Sequence, residues 1–151
     1  MTSVSRSCLV VIALLAMALP VAAQAPAPSD APPALTQVCA SCHPVDRIIA
    51  TRRSRDQWQE LIENMISRGA KGTDEQLTTL MDYLVSHVGR VGVNRALGDE
   101  LVAVLAITDT DARAIVDYRK AHGPFADIDA LTAVPGIDTA KLKARLDAIS
   151  F

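Results

Sequence analysis

Residues 39–43 of this 151-residue chain read Cys39-Ala40-Ser41-Cys42-His43. The stretch contains two of the three cysteines, and a histidine follows the second cysteine directly. Side chains three positions apart lie on the same side of a helical turn. The segment that begins near Ala34 or Thr36 is predicted to be a helix that runs into this stretch. We therefore expect both thiols and the imidazole to meet at one site.

A Cys-x-x-Cys-His spacing is that of haem attachment, in which each thiol adds to a vinyl group and the imidazole ligates the iron. The pattern predicts one covalent haem c, held by Cys39 and Cys42, with His43 as an axial iron ligand. Three other uses of the two thiols carry less support. A redox dithiol would follow a strand, and no strand is predicted here. A zinc site needs further Cys or His ligands nearby, and none is present. The third alternative is a structural disulfide between Cys39 and Cys42.

The start of the chain has the features of a secretory signal. Arg6 is followed by an uncharged apolar stretch of 12 residues, Cys8 to Leu19, which Pro20 ends. A helix that spans a bilayer needs about 20 apolar residues, whereas this shorter stretch and the small residues after it are typical of a signal peptide. We expect cleavage near Ala23 or Ala25, export to the periplasm, and no membrane span in the mature chain. The alternative is an uncleaved N-terminal membrane anchor.

Composition and patterning predict four parts. The signal peptide covers residues 1–23, a stiff Ala/Pro-rich linker covers 24–34, and two helical units cover 35–92 and 93–151. Only 3% of the residues are aromatic, and no segment alternates apolar and polar residues over a sustained length. Both observations favour an all-α fold without a sheet. The net charge of −2 gives no overall attraction to nucleic acid or to an anionic membrane.

Helix caps mark two helices of the first unit. Ser54 is a candidate N-cap with Gln57 in the first turn, and Gly69 is expected to end that helix. Thr73, with Gln76 three residues on, forms a candidate capping box for the next helix. With the helix before the cysteines, the first unit is predicted to contain three helices.

Met65 is predicted to be the sixth ligand of the haem iron, because a thioether ligand is common in electron carriers and raises the potential. It lies on an apolar stripe with Trp58 and Ile62, so its side chain is expected on the buried face. Met81 on the next helix is the alternative, and His87 or an open coordination position is a third. Core packing alone also explains either methionine.

Arg52, Arg53 and Arg55 form a dense basic cluster just before Trp58. Haem propionates need cationic or hydrogen-bonding partners when they are partly buried. Arg52, Arg53 and the Trp58 indole N–H are therefore candidate propionate ligands. A solvated basic loop that docks an acidic redox partner explains the cluster equally well.

The second unit repeats one pattern, a helix, a tight turn and a helix, twice. A Val134-Pro135-Gly136-Ile137 turn lies between the last two helices. The apolar stripes that define the helices are Leu97, Leu101, Val104 and Leu105, then Ala112, Ile115 and Val116, then Ile128 and Leu131, and finally Leu142, Leu146 and Ile149.

Residues 38–91 resemble the small haem domains of the class I cytochrome c superfamily, in the short type attached to quinoprotein dehydrogenases. The matching features are the Cys39–His43 motif, the arginine-rich turn, Trp58, the stretch Met65-Ile66-Ser67-Arg68-Gly69-Ala70, and Tyr83-Leu84. The resemblance implies a small helical haem domain whose last helix packs on its first. It also implies that the histidine and the methionine ligate the iron from opposite sides.

Residues 93–151 resemble the tandem helix-hairpin-helix domain of the competence DNA-receptor family. The matching stretches are Val93-Asn94-Arg95-Ala96, Glu100-Leu101, Ala112 to Arg119, Gly123-Pro124-Phe125, and Leu131 to Ile137. The resemblance implies that hairpin glycines expose backbone N–H groups to DNA phosphates. It makes Gly136 and Ile137 a candidate phosphate hairpin.

The hairpins depart from that family at the positions that would meet phosphate. The first reads Leu105-Ala106-Ile107-Thr108 where the family has Pro-Gly-Ile-Gly, and Asp138 replaces the second glycine of the second hairpin. A Cβ and a negative charge then stand where a phosphate should approach. Residues 94–151 also carry seven Lys or Arg against nine Asp or Glu, whereas DNA binding depends on neutralising phosphates. We therefore favour a structural or protein-docking role for this unit over DNA binding.

Together the resemblances imply a periplasmic mono-haem cytochrome that transfers electrons. Its hairpin unit would dock it to a redox partner such as a periplasmic dehydrogenase or oxidase. No constellation of catalytic side chains is visible, so we expect an electron carrier and not an enzyme. The alternatives are a DNA-binding or DNA-uptake factor that carries a haem domain, and a haem site with an open sixth position that binds a gas or acts as a peroxidase.

Overall fold

The structure is a computed structural model that describes residues 30–151. The predicted signal peptide, its cleavage sites and most of the linker lie outside the described residues. The described part is mainly helical, which confirms the predicted all-α class. Within residues 30–151, no helix has both the length and the apolar character that a bilayer crossing requires.

The elements follow the two predicted units in order. The first unit contains a π-helical turn, Leu35–Cys39, and the helices α1, Asp46–Ile49, α2, Arg55–Ser67, and α3, Asp74–Val88. Strand β1, Val91–Gly92, leads into the second unit. The second unit contains α4, Gly98–Leu105, α5, Asp109–His122, α6, Ile128–Thr132, α7, Thr139–Ala144, a 3-10 turn, Leu146–Ala148, and strand β2, Ile149–Ser150.

Side-chain caps start α2 and α3 where the sequence predicted them. The Ser54 hydroxyl accepts the N–H of Gln57 at 3.2 Å, and the Gln57 side chain accepts the N–H of Ser54 at 3.0 Å. Thr73 and Gln76 make the same reciprocal pair at 3.2 and 2.9 Å. Gly69, with a φ of 103°, follows the end of α2. These local signals are therefore confirmed, and the Ser54 cap is a full capping box.

Three short elements were not predicted. Helix α1 is a single turn, so the three-helix prediction for the first unit missed it. The prediction of no sheet is also wrong, because β1 and β2 pair in parallel, with Val91 opposite Ile149 and Gly92 opposite Ser150. Two-residue strands are too short to show alternation in the sequence. Their pairing depends on where distant parts of the chain meet.

One apolar core runs through both units, because the buried side chains of the two form a single cluster. Helices α3 and α4 pack directly on each other. Gly89 permits this approach: a Cβ at Gly89 would lie 2.0 Å from the carbonyl oxygen of Val85 and 3.2 Å from a methyl of Val104. The guanidinium of Arg145 donates to the carbonyl of Ser86 at 3.0 Å and adds a polar link. The first unit is therefore fixed against the hairpins.

Two apolar stripes of the second unit differ from their prediction. Leu97 is 71% exposed and Leu146 is 49% exposed, so neither belongs to a buried face. Leu97 is the N-cap residue of α4 and precedes its buried stripe. Ile149 is buried but lies on β2, because the last α-helix already ends at Ala144.

Candidate functional site

A cavity of about 540 Å³ opens between the cysteine motif, α1, α2 and α3. Its walls are mainly apolar, and Leu80 and Leu84 of α3 form part of them. The volume falls within the range of about 300–1,000 Å³ that is typical of ligand and cofactor sites. Six of the side chains singled out from the sequence line it, namely Cys39, Cys42, His43, Arg53, Trp58 and Met65.

The two thiols at one end of the cavity are free. Cys39 is half-buried, and Cys42 is exposed. Burial raises the pKa of the Cys39 thiol. Both thiols line the cavity and form no disulfide.

Two buried nitrogen atoms at the cavity have no hydrogen-bond partner among the described residues. They are Nδ1 of His43 and Nε1 of Trp58, and the Trp58 side chain is fully buried. Leaving such a group unpaired costs about 1–3 kcal/mol. Both residues line the cavity, so a polar or metal-containing group bound there would lie next to them.

The apolar face of α2 packs only partly on the core and also borders the cavity. Of the predicted stripe, only Trp58 is buried, while Leu61, Ile62 and Met65 are half-buried and Ile66 is 41% exposed. All of them line the cavity. An apolar face of this kind is normally covered by another apolar surface, and a flat apolar cofactor would supply one.

Every charged side chain that lines the cavity is an arginine: Arg47, Arg53 and Arg68. The guanidinium carbon of Arg53 lies 4.9 Å from the centre of the Trp58 ring, a cation–π contact. Its Nη1 donates to the carbonyl of Thr51 at 3.2 Å. Buried carboxylates such as propionates are stabilised by guanidinium groups.

The sequence reasoning missed Arg47 and Arg68. Arg47 lies on α1, the single turn that was not predicted, and His43 precedes that helix. Arg68 follows Met65 by three positions at the end of α2, so its side chain lies on the same side as Met65. Helical spacing therefore carries a usable signal for Arg68 but not for Arg47.

The structure does not place Arg52 in the cavity. Its Nε lies 2.6 Å from Oδ2 of Asp147, and its Nη1 donates to the carbonyls of His87 at 3.0 Å and Gly89 at 3.3 Å. Arg52 is therefore not placed to contact a group bound in the cavity, whereas Arg47, Arg53 and Arg68 line it. Arg52 instead ties the arginine-rich turn to the end of the chain.

The alternative iron ligands also lie elsewhere. Met81 is half-buried against the core and does not line the cavity. His87 is exposed, stacks on Tyr83 at 4.3 Å, and has its Nε2 3.1 Å from Oδ2 of Asp30. Met65 is thus the methionine that shares the cavity with His43. The cavity fits a haem c in its donor set, its apolar lining and its arginines.

In the first hairpin of the second unit, the carboxylate of Asp111 folds back onto the loop that precedes α5. Asp111, only 7% exposed, accepts hydrogen bonds from the N–H of Thr108 at 3.1 Å and its hydroxyl at 2.7 Å. It also accepts the N–H of Asp138 at 3.3 Å, so one carboxylate bridges both hairpins. These bonds, chiefly that from the Thr108 side chain, lower the pKa of Asp111.

A second carboxylate, that of Asp138, lies directly after the candidate phosphate hairpin. Gly136 has a φ of 80°, and Ile137 after it is half-buried against the core. The carboxylate of Asp138 accepts the N–H groups of Ala140 at 3.1 Å and Lys141 at 3.2 Å. The amides that would hold a phosphate at the start of α7 are therefore occupied by the chain itself.

Residues 86–147 match the family model of the helix-hairpin-helix motif. The match covers α4 to α7, both hairpins among them, and begins in the last turn of α3. It confirms the predicted motif in the second unit. It does not reach the cysteine motif or any residue that lines the cavity.

The curated relatives carry the name endonuclease/exonuclease/phosphatase family domain-containing protein 1. The protein of Bos taurus is 42% identical over 53 residues, which are 35% of this chain and 9% of the relative. The Homo sapiens protein is 38% identical over the same length, and that of Danio rerio is 38% identical over 52 residues. The chain thus spans only about a tenth of the length of these relatives. No solved structure matches the chain significantly.

Proposed function

We propose that this protein is a mono-haem c-type cytochrome of the periplasm that carries single electrons. The observation that carries the proposal is the meeting of Cys39, Cys42, His43 and Met65 at one apolar cavity. Two thiols are the groups that attach haem c covalently, and an imidazole and a thioether are common ligands of its iron. The segment 39–43 supplies three of these residues, and α2 supplies Met65.

Four residues would hold the group. Cys39 and Cys42 would bind it through thioether bonds, and His43 and Met65 would ligate the iron. When bound, haem c supplies one-electron chemistry at its iron. A methionine ligand favours a higher potential than a second histidine or an open position.

The other cavity residues would set the environment of the group. The apolar side chains of α2 and α3 exclude water, which lowers the local dielectric and shifts the potential. The indole N–H of Trp58 and the guanidinium groups of Arg47, Arg53 and Arg68 would stabilise the propionates. No covalent change in a substrate is part of this function, so we propose a carrier and not an enzyme.

Export is part of the proposal. The apolar stretch near the start of the chain supports a cleaved signal peptide, after which Cys39 and Cys42 are the remaining cysteines. The electron donor and acceptor would then be other periplasmic redox proteins, such as a dehydrogenase or an oxidase.

The test is to produce the chain in a bacterial host that attaches haem c and to purify it from the periplasm. We expect a red protein, cleaved near Ala23 or Ala25, with the added mass of one haem that denaturation does not release. The C39A/C42A double variant, exported in the same host, is expected to lose the covalent mass. A colourless protein without added mass would contradict the proposal.

DNA binding is the second candidate function, and the helix-hairpin-helix match at residues 86–147 favours it. Against it stand the carboxylates of Asp111 and Asp138, which accept N–H groups at and near the starts of α5 and α7. The excess of acidic residues in this unit also opposes phosphate binding. We therefore propose that the unit supports the first unit and docks proteins.

A further inference from the structure

The three arginines that line the cofactor cavity are held in different ways. The guanidinium of Arg53 lies over the ring of Trp58, and its Nη1 donates to the carbonyl of Thr51. Arg47 is exposed on the single turn of α1, and among the described residues no carboxylate lies within 4.0 Å of its guanidinium. Arg68, just after α2, is held by a neighbouring side chain and therefore differs from both.

The neighbouring side chain is that of Asn64. Its Oδ1 accepts a hydrogen bond from Nε of Arg68 at 2.8 Å. The bond joins residues four positions apart, a spacing at which side chains on a helix meet. A bond at Nε restricts the orientation of the guanidinium and leaves both Nη groups as donors. A carboxylate binds a guanidinium most strongly through two parallel N–H donors of this kind.

The backbone of the same turn is held independently of the Asn64 side chain. The N–H of Arg68 donates to the carbonyls of Asn64 at 3.3 Å and Met65 at 3.1 Å. The N–H of Ala70 also donates to the carbonyl of Met65, at 3.0 Å. Removal of the Asn64 amide should therefore release the guanidinium of Arg68 without moving the backbone of Met65.

Asn64 itself lies outside the cofactor cavity. It lines a neighbouring groove of about 470 Å³, whereas Arg68 lines the cavity. Within residues 30–151, no carboxylate lies within 4.0 Å of the Arg68 guanidinium, so no acidic side chain of this part neutralises its charge. Asn64 can therefore act on a group in the cavity through the orientation of Arg68, as an outer residue orients a residue that contacts a cofactor.

We propose that Asn64 is a positioning residue that fixes Arg68 as the main cationic partner of a haem propionate and thereby raises the potential of the iron. The proposal rests on the proposed function, because it assigns Asn64 a role toward the bound haem. A cation held beside the haem stabilises the electron that reduction adds. An arginine that is already oriented also loses less conformational entropy on binding a carboxylate than the exposed side chain of Arg47 would.

The first experiment measures the positioning directly. The full mature chain is purified in its reduced state, and exchange of the Arg68 Nε–H with solvent is followed by ¹⁵N NMR, with R68Q to identify the signal by its loss. We expect exchange at least threefold faster in N64A, and slow exchange again in N64D, which keeps an acceptor for Nε. The matched control is Q59A, because Gln59 donates to Glu63 at 3.0 Å in another exposed pair of α2 and lines neither the cavity nor the groove.

The second experiment measures the equilibrium of reduction against a dye of known potential. We expect the equilibrium constant to fall at least threefold in R68Q, to fall in N64A, and to stay unchanged in Q59A. Ionisation of the propionate makes the potential fall as the pH rises. In R68Q and N64A this fall should move to higher pH, because Arg68 no longer lowers the pKa of the propionate. In the double variant N64A/R68Q, the loss should equal that of R68Q alone.

Equal Nε–H exchange in the unaltered chain and in N64A would overturn the proposal. A larger fall of the equilibrium constant in R47Q or R53Q than in R68Q would also overturn it, because another arginine would then be the main partner. So would a further loss when N64A is added to R68Q, since Asn64 would then act by another route. A chain without haem would reject the proposed function, yet its Nε–H exchange would still show whether Asn64 holds Arg68, so the two failures are distinguishable.

Discussion

The guanidinium of Arg52 binds the carboxylate of Asp147, which lies 95 positions later in the chain, with Nε and Oδ2 2.6 Å apart. The same guanidinium donates to the carbonyls of His87 and Gly89 at the end of α3. One side chain thus connects the arginine-rich turn, the last helix of the first unit and the end of the second. This contact joins the site and the hairpins.

We expect R52A to lower the free energy of unfolding by about 1–2 kcal/mol, because two carbonyls and a carboxylate lose their donor. D147N should cost less than about 1 kcal/mol, since the Asp147 side chain is 64% exposed and solvent screens the pair. Urea unfolding of both variants and of the double variant measures the coupling. The control is R113A, because Arg113 is an exposed arginine on α5 whose guanidinium donates to the carbonyl of Asp109. If R52A lowers the free energy of unfolding no more than R113A does, Arg52 does not stabilise the contact between the two units.

M65A should open the sixth coordination position of the haem iron. The reduced unaltered protein is expected not to bind CO, whereas reduced M65A should bind it readily and show a lower potential. Absorption spectra before and after CO addition measure the change.

M81A is the matched control for M65A, because Met81 is a half-buried methionine outside the cavity. It should leave the spectrum and the CO response unchanged. CO binding by M81A but not by M65A would identify Met81 as the ligand. Ready CO binding by the unaltered protein would indicate an open sixth position.

D111A should lower the free energy of unfolding by about 2–3 kcal/mol, because it leaves the N–H groups of Thr108 and Asp138 without their acceptor in a buried place. D109A, on the same turn of α5 but exposed, is the control and should change stability by much less. Chemical unfolding at neutral pH compares the two. An equal loss in both variants would contradict a bridging role for Asp111.

The Asp111 carboxylate also predicts a pH dependence. Its pKa in the folded protein is lowered, chiefly by the hydrogen bond from the Thr108 side chain. The stabilisation is therefore fully present above the ordinary pKa of an aspartate, about 4, and is lost as the pH falls through the lower folded pKa. The difference in unfolding free energy between the unaltered protein and D111N should thus shrink below about pH 4. A difference that is constant from pH 6 to pH 2 would contradict the lowered pKa.

The unaltered chain is expected not to bind duplex DNA at moderate salt, because Asp138 holds the N–H groups at the start of α7 and acidic residues outnumber basic ones in the second unit. D138G frees the N–H groups of Ala140 and Lys141 and removes one negative charge, so weak, salt-sensitive DNA binding should appear. D127G is the control, because Asp127 caps α6 in the same way through Ala130. Mobility-shift titrations at two salt concentrations measure both. Tight, salt-sensitive binding by the unaltered chain would favour the DNA-binding alternative.

The features that were predictable from the sequence are those decided within a few residues. The capping boxes at Ser54 and Thr73 use bonds between side chains and amides three positions apart. The cysteine motif needs only one turn of chain to place its donors. The position of Met65 on the cavity side of α2 was predictable, because Trp58 on the same apolar stripe fixes which face of the helix turns inward.

The features that were missed depend on contacts between distant segments. Nothing local to Arg52 indicates that its partner is Asp147, so a role in the cavity was the reasonable expectation. Asp111 was passed over because an acidic residue in the first turn of a helix is ordinary. Its importance arises only because the second hairpin presents the N–H of Asp138 to the same carboxylate.

The parallel pairing of β1 with β2 limits how the two units can be separated during evolution. The last residues lie beside the junction of the two units, where Val91 is fully buried opposite Ile149. A chain cut after residue 92 would expose apolar side chains and unpaired amides at its new end. Recombination therefore cannot separate the cysteine-bearing unit from the helix-hairpin-helix unit without loss of stability. A transplant of the cysteine-bearing half into another protein would need a replacement for this last strand.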